Sequence, residues 1–250
     1  AKIKLNDRVI YQGNNSTEWL AWNVATNAIG GIWVPLYNNQ SNSYVQHIIN
    51  DCEPKLFIKN INENKKLDLS KYNVNFLSNS IPNIDYYNNE LPFNEKSEIA
   101  NLIYTSGTTG KPKGVTLTHK NIISNVESIK KRFTEFENQN LTTLNILPWA
   151  HIYGMTTELY YNLLSSNKVV LSSGPENFIK EIGEIQPDII YVVPRILNLI
   201  KNKIEFLDKP IINRILPIIF KRIFGKNLRT IFVGGSALEN NIREFYSKYN

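Results

Sequence analysis

Short apolar runs separated by stretches with helical patterns recur along almost the entire chain. The runs cover Asp7–Gln12, Ile32–Leu36, Lys55–Lys59, Ile99–Thr105, Thr142–Leu147, Lys168–Ser172, Asp188–Val193 and Leu228–Val233. Strands that alternate with helices predict βαβ units, because a parallel strand needs a crossover before the next one can pair with it. The predicted fold class is therefore α/β, with mostly parallel sheets covered by helices on both faces.

Helices are predicted between most of these runs. For the first helix, Asn15 is the expected N-cap and Glu18 its capping-box partner, and Gly30-Gly31 is expected to end it. The other predicted helices cover residues 43–50, 120–133, 155–165, 175–185, 194–206, 211–224 and 238–249.

Composition excludes several classes of protein. Cys52 is the only cysteine, so no intrachain disulfide forms, and residues 1–10 do not resemble a secretory leader, which favours a reducing, cytoplasmic location. No apolar run approaches the ~20 residues that span a bilayer. The net charge of +6 comes from scattered lysines, which indicates a solvated surface rather than a nucleic-acid-binding stripe.

The stretch 60–97 differs from the rest of the chain because it is Asn-rich and only weakly periodic. Its apolar pieces, such as Val74–Leu77, are short. We predict a long surface excursion of variable length that carries no chemistry.

A loop rich in glycines, hydroxyls and lysines follows the strand predicted at Ile99–Thr105. Tyr104–Val115 has the sequence YTSGTTGKPKGV, with glycines that permit close approach of another group. Backbone N–H groups, hydroxyls and lysine are the groups that bind polyphosphates. A loop that follows a parallel strand is expected at the carboxyl edge of the sheet, where such folds bind ligands.

The P-loop pattern does not explain this loop. Only two residues separate Gly107 from Gly110, and Pro112 follows Lys111 where a P-loop requires Ser or Thr. A surface loop without a ligand is the remaining alternative, and the density of donors after an apolar strand argues against it.

Tyr104–Val115 resembles the signature of the adenylate-forming superfamily, which includes acyl-CoA synthetases, firefly luciferase and the adenylation domains of peptide synthetases. The resemblance implies that the loop closes over the β- and γ-phosphates of ATP. The implied contacts are Thr105, Ser106, Gly107, Thr108, Thr109, Gly110 and Lys113. It also implies catalytic roles for Thr109 and Lys113 and makes Thr105 a candidate Mg²⁺ neighbour, while Lys111 receives no individual role.

Leu147–Met155 (LPWAHIYGM) resembles the superfamily motif that lines the carboxylate and adenylate pocket. The resemblance places His151 beside the reacting carboxylate and α-phosphate, where an imidazole donor would stabilise developing charge. The alternative is a histidine that only satisfies a strand end. Tyr153 and Gly154 are expected to shape the pocket wall. His47 and His119 are expected to be structural.

Two later motifs resemble long-chain acyl-CoA synthetases in particular. Val193–Ile204 resembles their proline-arginine helix start, and Leu228–Leu238 (LRTIFVGGSAL) resembles their strand and glycine turn. By this resemblance Gly234, Gly235 and Ser236 lie near adenine and the head of the acyl tunnel.

Ile211–Phe224 also follows the long-chain pattern, and it is apolar on one side and basic on the other. We predict a surface helix packed on the sheet, and a helix that contacts a membrane surface is the alternative.

The resemblance implies a fatty acid–CoA ligase that uses ATP, Mg²⁺ and CoA, with a fatty acid as partner and no nucleic acid. It also implies that residues 1–250 are part of the large AMP-binding N-terminal domain. The expected Tyr-Gly-x-Thr-Glu turn, the later ribose-binding Asp and the C-terminal lid domain do not occur, so the chain is expected to be an inactive fragment alone. An amino-acid or aryl-acid adenylating enzyme, a non-catalytic nucleotide- or lipid-binding protein and a nucleic-acid-binding module are the alternatives.

Overall fold

A computed structural model describes residues 2–59, 74–78, 98–106, 111–205 and 216–247. The chain divides into two compact units. Unit 1 contains residues 1–125 and 148–152, and unit 2 contains residues 126–147 and 153–250. The prediction of one partial N-terminal domain spanning residues 1–250 stays a prediction.

Unit 1 is built on a six-stranded sheet in the order β4-β3-β1-β2-β5-β6. Its strands are β1 (Arg8–Gln12), β2 (Ile32–Leu36), β3 (Leu56–Lys59), β4 (Asn75–Ser78), β5 (Ile99–Ser106) and β6 (Pro112–Thr118). All neighbours pair in parallel except β5 and β6, which form an antiparallel pair. β1, β2 and β3 contain almost only buried residues, as expected for strands covered on both faces.

Two helices of unit 1 begin at serine caps. α1 (Thr17–Ala28) has Ser16 as its N-cap, and α2 (Asn42–Cys52) has Ser41. Each serine hydroxyl accepts a hydrogen bond from a backbone N–H of the first turn. The prediction of Asn15 as the first cap is wrong, because Asn15 Oδ1 instead accepts the backbone N–H of Trp149 at 2.8 Å.

α3 (His119–Arg132) begins with a reciprocal pair of hydrogen bonds. The Thr118 hydroxyl accepts the Asn121 backbone N–H, and Asn121 Oδ1 accepts the Thr118 backbone N–H, both at 3.0 Å. His119 follows this cap as the first helical residue, and its structural role stays a prediction.

Unit 2 is built on a four-stranded parallel sheet in the order β10-β9-β7-β8. Its strands are β7 (Thr142–Asn145), β8 (Lys168–Leu171), β9 (Ile189–Val192) and β10 (Thr230–Val233). Its helices are α4 (Tyr161–Leu164), α5 (Phe178–Ile185), α6 (Pro194–Glu205), α7 (Leu216–Phe224) and α8 (Asn240–Ser247). A π-helical segment, Gly154–Tyr160, leads directly into α4.

The fold class is confirmed as α/β with mostly parallel sheets. Three local elements differ from what the sequence predicted. β6 was not predicted, because its sequence is polar and contains glycine and proline. β4 lies inside the stretch 60–97 that was predicted to be a surface excursion, and residues 60–73 and 79–97 of that stretch lie outside the described residues. The helix predicted over 155–165 begins as a π-helix.

Of the helix predicted over 211–224, residues 211–215 lie outside the described residues. Across the described ranges, no helix is both long enough and apolar enough to span a membrane.

Candidate functional site

The predicted phosphate-binding motif lies on the β5–β6 hairpin. In the antiparallel register, Thr105 is opposite Lys113, Tyr104 is opposite Gly114, and Ser106 is opposite Pro112. Gly107, Thr108, Thr109 and Gly110 belong to the same motif and lie outside the described residues. The described arms therefore bring a hydroxyl-bearing residue and a lysine to directly opposite positions.

The hairpin leaves the sheet at the edge that the sequence predicted. β5 runs parallel to β2, which runs parallel to β1. Parallel strands place their carboxyl ends at the same edge, so Thr105 and Ser106 lie at the carboxyl edge of this sheet.

The two faces of the hairpin differ in their surroundings. Side chains at directly opposite positions of an antiparallel pair share one face, so Thr105 and Lys113 share theirs, and both residues are exposed. Tyr104 and Leu102 project from the other face and pack against α2.

Gly114 leaves room for Tyr104. A Cβ atom at Gly114 would lie 3.2 Å from Tyr104 Cζ and 2.9 Å from Leu102 Cδ1. A side chain at Gly114 would therefore crowd Leu102 and Tyr104 of its own hairpin, whether or not a ligand approaches it.

The Tyr104 hydroxyl donates a hydrogen bond of 2.5 Å to Asp51 Oδ2 on α2. Burial, followed by this contact with the carboxylate, raises the pKa of Tyr104. Cys52 lies next to Asp51, and burial raises the pKa of its thiol to about 12. A thiol in such surroundings stays protonated and is a poor nucleophile.

The segment Pro148–Ile152, which carries His151, belongs to unit 1. The Trp149 backbone N–H donates to Asn15, and its ring meets Trp19 edge-on at 5.4 Å. The His151 backbone N–H donates to the Pro148 carbonyl at 3.0 Å, which closes a tight turn. These contacts hold the His151 backbone, while the residue itself is exposed.

Packing around the imidazole affects the protonation of His151. Desolvation lowers the pKa of His151 from its ordinary value of 6.5. The ring is therefore mainly neutral at pH 7, where one of its nitrogens carries a proton and can donate it in a hydrogen bond.

In unit 2, the structure brings Tyr153 against the predicted glycine turn. A Cβ atom at Gly234 would lie 2.5 Å from Tyr153 Cζ. Gly235 has a φ of +81°, a conformation that favours glycine, and Ser236 follows it in an exposed position. Burial, followed by the charge of Glu158, raises the pKa of Tyr153 to about 12.

Gly154 is buried and begins the π-helix. One turn later Glu158 is fully buried, accepting hydrogen bonds from the Asn145 side-chain amide and, at 3.2 Å, from the Ile146 backbone N–H. Glu158 therefore fastens the π-helix to the end of β7. π-helical turns are rare and often occur at functional sites.

Three residues with these contacts were not predicted from the sequence: Glu158, Asn145 and Asp51. An acidic residue within the apolar stretch 154–164 was a usable indication of a buried, paired carboxylate. Asp51 offered no such indication, because its partner Tyr104 is 53 residues away.

The described residues contain no group of three or more His, Cys, Asp or Glu side chains that could hold a metal ion. A divalent cation carried by nucleotide phosphates needs few protein ligands, and the Thr105 hydroxyl is compatible with such a role.

Comparison with known proteins gives concordant matches. A family profile described as AMP-binding enzyme matches residues 1–250. Long chain acyl-CoA synthetase 3 of Arabidopsis thaliana is 26% identical, over 96% of this chain and 45% of its own length. A probable 4-coumarate–CoA ligase 1 of Dictyostelium discoideum is 30% identical, over 60% of this chain and 25% of its own length.

Among solved structures, the O-succinylbenzoate coenzyme A synthetase of Bacillus subtilis, in complex with AMP, has a TM-score of 0.78 and 20% identity. The match covers 99% of this chain and 60% of that one, and it establishes likeness of fold. The chain spans less than half the length of the two curated relatives.

Proposed function

The chain belongs to the AMP-binding enzyme family, and on that premise we propose that the complete protein is an AMP-forming long-chain fatty acid–CoA ligase. In the first step a carboxylate oxygen of the fatty acid bonds to the α-phosphorus of ATP. The bond from that phosphorus to the bridging oxygen breaks, and pyrophosphate leaves. In the second step the CoA sulfur bonds to the acyl carbon, AMP leaves, and the thiol proton is released.

The observation that carries this proposal is the pairing of Thr105 with Lys113 at the carboxyl edge of the sheet. An exposed ammonium group and an exposed hydroxyl on one face of the hairpin are suited to the oxygens of a polyphosphate. With Ser106, Gly107, Thr108, Thr109 and Gly110 they would bind the β- and γ-phosphates. ATP would enter as its Mg²⁺ complex, with Thr105 near the ion.

His151 would face the reacting centre. The carboxylate is already anionic, so the first step needs no general base, and the protein contributes positioning and charge stabilisation. A neutral imidazole that donates a hydrogen bond would stabilise charge on the phosphoryl oxygens. Tyr153 and Gly154 would form the pocket wall, with Gly234, Gly235 and Ser236 near adenine.

The long-chain substrate is supported by the likeness to the Arabidopsis synthetase over 96% of the chain. An aryl acid is the second candidate, supported by the 30% identity with the Dictyostelium ligase. We also propose that the protein is cytoplasmic and that α7 contacts a membrane surface.

The test is acid-dependent exchange between ATP and labelled pyrophosphate in the complete protein. Fatty acids of increasing chain length, 4-coumarate and amino acids form the panel, and the preferred acid identifies the substrate class. A complete protein that exchanges with none of them would be a binding protein rather than a ligase.

The motif is tested by replacing Thr108 and Lys113 together with alanine. Loss of the groups that bind the leaving phosphates is expected to slow exchange at least ~100-fold. Lys120→Ala removes the same charge from an exposed position on α3 and is the control. Undiminished exchange in the Thr108/Lys113 double variant would refute the assignment of the motif.

A further inference from the structure

α2 contacts both arms of the β5–β6 hairpin. His47 Nε2 donates a hydrogen bond to the Pro112 carbonyl at 3.1 Å, and Asp51 Oδ2 accepts one from the Tyr104 hydroxyl at 2.5 Å. His47 and Asp51 are four residues apart, so they lie on the same face of the helix. One turn of α2 therefore contacts both strands of the hairpin: β6 through His47 and β5 through Asp51.

The two contacts lie next to the residues that are proposed to bind phosphate. Tyr104 immediately precedes Thr105, and Pro112 immediately precedes Lys113. Thr105 and Lys113 are directly opposite each other in the register. A shift of either contact would therefore move one of the two phosphate-binding positions by a comparable distance.

α2 is itself fixed to the body of unit 1. Its inner face is buried through Val45, Ile48, Ile49 and Cys52. At its carboxyl end the Arg8 guanidinium donates to the carbonyls of Cys52, at 2.5 Å, and Glu53, at 2.9 Å. Arg8 belongs to β1, so the helix is tied to a central strand of the sheet.

β6, by contrast, has little support of its own. It is at the edge of the sheet as described, paired with β5 alone, and most of its residues are exposed. A two-stranded hairpin is at best marginally stable without further packing. The position of Lys113 therefore depends on the pairing with β5 and on the contact of Pro112 with α2.

We propose that His47 and Asp51 are positioning residues for nucleotide binding: they hold Pro112 and Tyr104, and so set the places of Lys113 and Thr105. The inference rests on the proposed function of the motif. Neither residue contacts the phosphates, and both act through the hairpin. Such supporting residues matter because misplacement of a binding group by about 1 Å can reduce activity about 100-fold.

The test measures pyrophosphate exchange in the complete protein, with KM determined separately for MgATP, pyrophosphate and the acid. His47→Leu and Asp51→Leu remove the two contacts and are each expected to raise KM for MgATP and pyrophosphate about tenfold, about 1.36 kcal/mol. KM for the acid is expected to stay within about twofold, since only the phosphate-binding positions move.

Conservative variants separate the hydrogen bonds from general packing. His47→Gln keeps an N–H donor and Asp51→Asn keeps an oxygen acceptor, so each is expected to recover most of the affinity for MgATP. Asn50→Leu, an exposed neighbour on the same helix, is the matched control and is expected to keep all kinetic constants. Asp51→Leu combined with Tyr104→Phe is expected to be no worse than either change alone.

One pair of results would refute the positioning role. In it, mutation of Lys113 abolishes the pyrophosphate exchange seen in the wild type, but His47→Leu and Asp51→Leu leave KM for MgATP unchanged. The positioning role would also be wrong if these variants only reduced kcat together with the melting temperature, because that result describes a loss of folded protein. Absence of exchange in the wild type overturns the proposed function and this inference with it.

Discussion

Replacing Gly234 with alanine places a methyl group in steric overlap with the ring of Tyr153. The added Cβ would lie 2.5 Å from Tyr153 Cζ, 2.6 Å from Cε2 and 2.9 Å from the hydroxyl oxygen. Tyr153 packs against the hydrophobic core of unit 2, so its ring cannot move aside freely. Overpacking of this kind costs about 1–3 kcal/mol.

Hydrogen exchange read by mass spectrometry is a suitable assay, because the Gly234 backbone N–H donates to the Val192 carbonyl at the end of β9. A loss of about 1–3 kcal/mol is expected to speed exchange in 189–193 and 230–236 by about 5- to 150-fold. All four tryptophans lie in unit 1, so an unchanged emission spectrum shows that unit 1 remains folded.

A double-mutant cycle tests the cause of the effect. Tyr153→Leu removes the ring atoms that clash, so Gly234→Ala is expected to add little in that background. Gly235→Ala is the matched control, because its cost of about 1–2 kcal/mol arises from the positive φ of +81° and is expected to be independent of Tyr153. Equal effects of Gly234→Ala with and without the ring would refute the steric explanation.

Three further predictions concern unit 1. Arg8→Ala removes the guanidinium that caps α2 and is expected to lower the free energy of unfolding by about 1–2 kcal/mol, measured as a lower urea midpoint by tryptophan fluorescence. Arg8→Lys is expected to recover only part of this stability, because an ammonium group lacks the planar fork of the guanidinium. Cys52, with a pKa of about 12, is expected to react with iodoacetamide at pH 8 on the order of a hundredfold more slowly in the native protein than in urea; equal rates would contradict its burial. Desolvation lowers the pKa of His151 below its ordinary value of 6.5, so the imidazole loses its positive charge before neutral pH. The rate of ATP–pyrophosphate exchange is therefore expected to show no inflection from His151 between pH 6.5 and 8. An inflection in that range that His151→Gln abolishes would contradict this.

The parallel strands were predictable because burial fixes their composition. Every residue of β2, β3 and β9 is buried, and each strand appears in the sequence as a short run of apolar residues, apart from Lys59 at the end of β3. β6 has no such pattern. It pairs at the edge of the sheet and most of its residues are exposed, so burial did not select apolar side chains there.

Local competition between similar side chains was not predictable. Asn15 and Ser16 are both good N-cap residues. Ser16 caps α1 because Asn15 Oδ1 is already bonded to the backbone N–H of Trp149, which is 134 residues away. A propensity assigned from neighbouring residues cannot contain a contact of that separation.

The same limit applies to the motif glycines, and it changes how their substitutions are interpreted. The sequence assigned these glycines to close approach of a ligand, yet a Cβ at Gly234 would lie 2.5 Å from Tyr153 Cζ, and a Cβ at Gly114 would lie 2.9 Å from Leu102 Cδ1 and 3.2 Å from Tyr104 Cζ. Alanine at Gly234 must therefore displace the Tyr153 ring, whereas alanine at Gly114 must shift the Leu102 side chain and, more slightly, the Tyr104 ring. A loss of pyrophosphate exchange in Gly114→Ala or Gly234→Ala therefore reports on that displacement before it reports on nucleotide contact. Thr105 and Lys113, which are exposed and directly opposite each other, are the described positions whose substitution tests phosphate binding itself.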